Sequence, residues 1–149
     1  MPNDPQYPLG GLPQLTDAER VPATLERFAA SMEQAVADWR GLVGALTLSD
    51  LARTYRPGSW TVRQLTHHVA EGHLHGLIRL KAGLTTDGYT IQPFQQAQTL
   101  LLPDAELPVA DALGLLDSLN RRWAALLRGV PATEFAREVV HPQEGHQDL

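Results

Sequence analysis

Three stretches of this chain repeat apolar residues at three- and four-residue steps, and that repetition leaves few folds open. In the first, Leu25, Phe28, Met32, Val36, Trp39, Val43 and Leu46 mark one helical face. In the second, Val62, Leu65, Val69, Leu77, Leu80 and Leu84 do the same, and in the third Val109, Ala112, Leu113, Leu116, Leu119, Trp123, Leu127 and Val130. Each stripe is wide enough for two neighbours, so the spacing predicts an all-α chain: three long members of a four-helix bundle, with the fourth missing from the sequence. An uncovered groove would forfeit about 1.5–3 kcal/mol for each large side chain left unburied, and a second copy of the chain is the simplest occupant.

Local signals place the ends of these helices. Thr61 and Gln64 have the spacing of a capping box, and Trp60 and Leu65 that of a hydrophobic staple, behind a turn at Pro57-Gly58. The second helix should therefore run from Thr61 to the Thr85-Thr86-Asp87-Gly88 turn, with Gly72, Gly76 and Gly83 letting another backbone approach. Thr16 and Glu19 form another capping box before the first helix, which should reach about Leu46, with Pro22 in its first turns or splitting off a lead-in. Leu48–Leu51 can add a single turn, and Tyr89 to Pro108 reads as a crossover strap with a broken helical turn. Arg128, Gly129 and Pro131 should end the third helix, with Asp117, Asn120 and Arg121 facing away from the core. Beyond it we expect a turn at Glu134-Phe135, an extended piece from Arg137 to Val140 and a polar tail. The four prolines of residues 1–15 predict an extended arm that Tyr7 and Leu9 could anchor, leaving 16–149 as one domain.

Composition narrows the function. The 149 residues, 43% hydrophobic, suit one domain. A net charge of −5 without a Lys/Arg stripe argues against nucleic acid as a partner. No apolar run reaches the ~18 residues of a membrane span and no signal-peptide pattern opens the chain, so the expectation is a cytoplasmic protein without a membrane partner. The absence of cysteine excludes a disulfide scaffold, thiolate ligands and a cysteine nucleophile, so a transition metal would need imidazole and carboxylate.

His67, His68, His73 and His75 crowd one part of the second helix. At 100° per residue, His73 falls within the apolar stripe, His68 and His75 share its flank near Glu71 and Arg79, and His67 points more nearly outward. Each alone reads as a histidine satisfied by one hydrogen bond; together, on a helix lining a bundle, they resemble provision for a metal. They contain no i, i+4 pair, so further ligands must come from elsewhere in the fold.

The block Tyr55-Arg56-Pro57-Gly58-Ser59-Trp60-Thr61-Val62-Arg63-Gln64-Leu65-Thr66-His67-His68-Val69-Ala70 is distinctive. With Tyr7-Pro8-Leu9-Gly10, Ile78-Arg79-Leu80-Lys81, Pro93-Phe94, Arg122 to Arg128 and His141-Pro142, it resembles the YfiT-like branch of the DinB superfamily over nearly the whole chain. The resemblance implies a four-helix bundle, commonly a homodimer, of a kind provisionally described as metal-dependent hydrolases, with some relatives acting as thiol S-transferases on bacillithiol, mycothiol or glutathione. It implies zinc or nickel on three histidines: the second of the His-His pair, here His68, and an H-x-x-x-H on a last helix. The sequence stops at Leu149, before such a helix, so the metal site is expected to be incomplete in these 149 residues, with His141 or His146 as conceivable substitutes. No general base is assigned. The alternative is a non-catalytic bundle that pairs with a second chain and whose histidines are structural.

Overall fold

The structure, a computed structural model, describes residues 15–143 and 145–149. The expected arm over 1–15 lies, except for Leu15, outside the described residues. Five α-helices follow in order: α1 (Pro22–Gly44), α2 (Leu48–Leu51), α3 (Val62–Thr85), α4 (Gln96–Thr99) and α5 (Val109–Gly129). Two short strands, β1 (Glu138–His141) and β2 (Gly145–Asp148), pair as an antiparallel hairpin. Short 3-10 turns occupy Asp17–Glu19, Pro103–Glu106 and Ala132–Ala136.

Helix α5 is the common neighbour, packing along both α1 and α3. The core is layered: Leu25, Ala29, Leu80, Ala124, Leu127 and Phe135 at one end, Val36, Ala70, Ala112 and Leu116 in the middle, and Val43, Leu51 and Leu113 at the other. Through these layers residue numbers rise along α1 while they fall along α3 and α5. Helices α3 and α5 are therefore parallel to each other and antiparallel to α1, which the long strap between them permits. Arg128 of α5 ties this arrangement on the outside by reaching Glu26 and Glu33 of α1 at 2.8 and 2.7 Å. Between α1 and α3 a groove of about 600 Å³ stays open, lined by Phe28, Met32, Leu80, Trp123 and Leu149 among others. Phe28, expected in the core, is accordingly 38% exposed at its edge.

Most expected boundaries hold, and the departures have local causes. The Thr16/Glu19 capping box closes only the 3-10 turn; α1 starts afresh at Pro22, and it stops at Gly44, two residues before Leu46. Gly129 is the last helical residue rather than a left-handed cap, and Val130 leaves in an extended conformation toward Pro131. Asn120 does not face away: it is 6% exposed and its Oδ1, like the Nε1 of Trp39, has no hydrogen-bond partner among the described residues. The tail beyond Val140 is not free, because β2 returns along β1, and Val140 also exchanges backbone hydrogen bonds with Tyr89 and Ile91 of the strap. Gly76 and Gly83 do admit close neighbours, but these are side chains: Trp123 at Gly76, and Leu149 and Val139 at Gly83. Gly72 meets nothing within 4 Å.

Candidate functional site

The site is built from the entry to α3 upward. Residues Arg56-Pro57-Gly58-Ser59 form a tight turn in which the Ser59 amide donates to the Arg56 carbonyl at 3.2 Å and Gly58 takes φ +75°, a conformation that suits glycine. The Ser59 hydroxyl donates to the same carbonyl at 2.8 Å. A bridge between Thr54 and Thr61 closes the loop, and Val62 N–H donates to the Arg53 carbonyl at 3.0 Å. The capping box then starts the helix: the Thr61 hydroxyl accepts from the Gln64 amide at 3.2 Å, and the Gln64 side chain accepts from the Thr61 amide at 3.0 Å. Trp60 is thereby fixed immediately before α3.

The four histidines divide into two pairs. His67, expected to point outward, is 8% exposed, with Nε2 3.0 Å from the Leu107 carbonyl at the end of the strap. His73 holds the Val69 carbonyl one turn back at 2.9 Å through Nδ1, while its own carbonyl accepts from Trp123 Nε1 at 3.1 Å. These two are structural. His68 and His75 instead share the aromatic ring of Phe94 from the strap: His75 stacks on it at 4.0 Å and 7°, and His68 lies 6.2 Å away at 23°. His68 also packs against Trp60, with centroids 4.5 Å apart. The Pro93-Phe94 pair was legible in the sequence, but its role as the plate between two histidines was not.

His68 and His75 both leave their ring nitrogens without a hydrogen bond among the described residues, and only in His68 is one of those nitrogens buried. Among the described residues the His68 Nδ1 is buried without a partner and Nε2 makes no hydrogen bond either; Nε2 is not among the buried atoms, so it is the one that meets solvent. Burial pushes the His68 pKa below the ordinary histidine value, opposed by the nearby Glu71 carboxylate, so the ring is neutral near pH 7. Glu71 is itself tied to the strap by the Thr99 hydroxyl at 2.9 Å. Beside His68 opens a cleft of about 570 Å³, whose other lining residues include Tyr55, Arg56, Ser59, Trp60 and Gln96. None of these lining residues was singled out as a site residue from the sequence.

The described residues supply two imidazoles without hydrogen bonds, His68 and His75, rather than a finished metal site: no group of three or more histidine or acidic side chains is placed to hold an ion among them. His141 and His146 do not fill the gap. Their hairpin packs at the far end of α3, where Val139 lies against Gly83, roughly four turns from His68 at 3.6 residues per turn. His146 Nδ1 is 3.3 Å from Glu138. Among the described residues no helix is long and apolar enough to cross a membrane.

Comparison with known proteins adds to this geometry. The profile of the DinB superfamily matches residues 12–149. A Bacillus pumilus protein, provisionally named a metal-dependent hydrolase, is 38% identical over 141 residues, covering 93% of this chain and 78% of its own. A similarly named Bacillus mycoides protein is 32% identical over 147 residues, covering 98% of this chain and 83% of its own. The solved structure of YfiT from Bacillus subtilis, described provisionally as a metal-dependent hydrolase with an unusual four-helix bundle topology, superposes with a TM-score of 0.84. It is 30% identical and covers 96% of this chain and 82% of its own.

Proposed function

The chain belongs to the DinB superfamily, and from that premise we propose that His68 is one imidazole ligand of a divalent-metal centre serving a hydrolase. The observation that carries the reading is the neutral His68 ring with its solvent-reaching Nε2 beside a cleft. Imidazole suits zinc and nickel alike. The donor set of the described residues falls short of three, so the centre needs ligands from outside them and no chemical step is derived through the metal. The chain's own residues have definable parts. Trp60 and Phe94 pack beside the His68 ring, and Glu71, anchored by Thr99, opposes the lowering that burial imposes on the pKa of that ring.

Water is the nucleophile of a hydrolase and a thiol that of an S-transferase, so paired assays separate the two. The untagged protein, supplied with zinc or nickel, is tested on carboxylic and phosphate esters and on thiol transfer. Turnover that disappears with chelator and in His68→Ala supports the reading, whereas turnover that survives both contradicts it.

A second reading is a non-catalytic homodimer, favoured by the open apolar groove between α1 and α3 together with the incomplete donor set. It predicts a dimer by light scattering that is unchanged by chelator, and a monomer would contradict it.

A further inference from the structure

The cleft beside His68 contains a cation that the fold leaves uncompensated. Arg56 donates from Nε to the Tyr55 hydroxyl at 3.0 Å and its guanidinium carbon lies 5.3 Å from the Tyr55 ring centroid. No carboxylate among the described residues pairs with it, and its two terminal nitrogens have no protein partner there. Six other arginines, Arg20, Arg40, Arg53, Arg63, Arg128 and Arg137, meet acids, while Arg27, Arg79 and Arg121 hydrogen-bond to neutral oxygens. The residues lining this cleft include no aspartate or glutamate, in a protein whose net charge is −5.

The backbone that carries the cation is pinned, while the Arg56 and Tyr55 side chains are exposed. Arg56 sits at the first position of the Arg56-Pro57-Gly58-Ser59 turn, whose backbone is pinned by the Ser59 amide and hydroxyl and by the Thr54–Thr61 bridge. With Nε engaged by Tyr55, the end of the guanidinium keeps a fork of donors, the geometry that two oxygens of one acidic group accept. The Trp60 side chain lies in the same cleft, between this fork and the imidazole of His68 in sequence, and offers an apolar surface.

We propose that Arg56 is the anion anchor of this cleft, so that the ligand taken beside His68 is a small molecule carrying a carboxylate or phosphate at one end and an apolar portion that lies against Trp60. The inference deepens the hydrolase reading, since the anchored end would direct the remainder of the molecule along the cleft toward His68. It concerns binding alone and needs no metal.

The test is a titration followed by amide and indole NMR shifts, run on the full chain in chelator with phenylacetate, phenyl phosphate, 2-phenylethanol and phenethylamine. Saturable shifts of the Gly58 amide and Trp60 indole are expected with one or both anions, at least about tenfold weaker with the alcohol and absent with the amine. Preference between phenylacetate and phenyl phosphate identifies which acid the site takes. Arg56→Gln should abolish the anion shifts while the remaining amide spectrum stays folded, and Arg56→Lys should restore part of the affinity. Equal binding of alcohol and anion, or anion binding that survives Arg56→Gln, would overturn the proposal. Because metal is excluded, failure here leaves the His68 reading standing, and failure of metal binding at His68 leaves this result standing.

Discussion

The two faces of α3 treat the same residue types in opposite ways. On the face turned to α5 and the end of the strap, His67 and His73 each hold a backbone carbonyl, and Gly76 and Gly83 are pressed by the side chains of Trp123, Leu149 and Val139. On the other face His68 and His75 make ring contacts and His68 leaves a nitrogen orphaned, while Gly72, three turns before Gly83 on nearly the same side, meets open space because no side chain of the described residues comes within 4 Å at its level of the helix. Residue type does not decide which histidine is structural. What decides is whether a carbonyl lies within reach: Leu107 at the end of the strap for His67, and Val69 one turn back in α3 itself for His73.

Substitutions at matched positions can break this contrast. The largest effect is expected at glycine: Gly83→Ala would set a Cβ 2.5 Å from a Leu149 methyl and 2.9 Å from a buried Val139 methyl. Leu149 can turn aside, but Val139 is held in β1, so a loss of about 1–3 kcal/mol is expected in urea unfolding. His67→Leu should cost a similar or slightly smaller amount, about 1–3 kcal/mol, because the Leu107 carbonyl loses its donor. His68→Leu, by contrast, removes an orphaned nitrogen and should leave stability unchanged or raised. If His68→Leu destabilised the protein as much as His67→Leu, the division into structural and available histidines would be wrong. Gly72→Ala should stabilise by about 0.5–1 kcal/mol, since an alanine there gains helix propensity without a clash.

The smallest effect sharpens the contrast through pH. The folded His68 pKa lies below its unfolded value because burial disfavours the charged ring. As pH falls through the ordinary histidine range the unfolded chain takes up the proton first, so stability declines, and the decline is complete below the depressed folded pKa. His68→Leu should flatten that acid-side slope of the urea midpoint. A slope that steepened in the variant would place the responsible group elsewhere.

Much of this was legible in the sequence because it rests on local chemistry. The Thr61/Gln64 box, the Pro57-Gly58 turn and the helical spacing from Val62 to Leu84 act within a few residues, and each appears where the pattern puts it. The three stripes also gave the bundle class, since the period of burial in a helix is fixed by its pitch. Contacts across the chain were not legible. The outward angle expected for His67 assumed solvent where the strap's end supplies Leu107, and Asn120 was read as outward because a polar side chain seldom goes into a core unpaired. Phe94 and Arg56 acquire their roles only when the strap and the Arg56–Ser59 turn come together beside His68. The hairpin escaped for the same reason: β2, Gly145–Asp148, is polar and short, and it is a strand only because β1 lies beside it.

The most direct test of the account is zinc and nickel bound per chain, measured by mass spectrometry after equilibrium dialysis, on untagged wild type, His67→Leu and His68→Ala side by side. The account predicts that the wild type and folded His67→Leu retain divalent metal and that His68→Ala loses at least about tenfold in affinity. Equal metal content in His68→Ala and the wild type would contradict the assignment of His68 as a ligand.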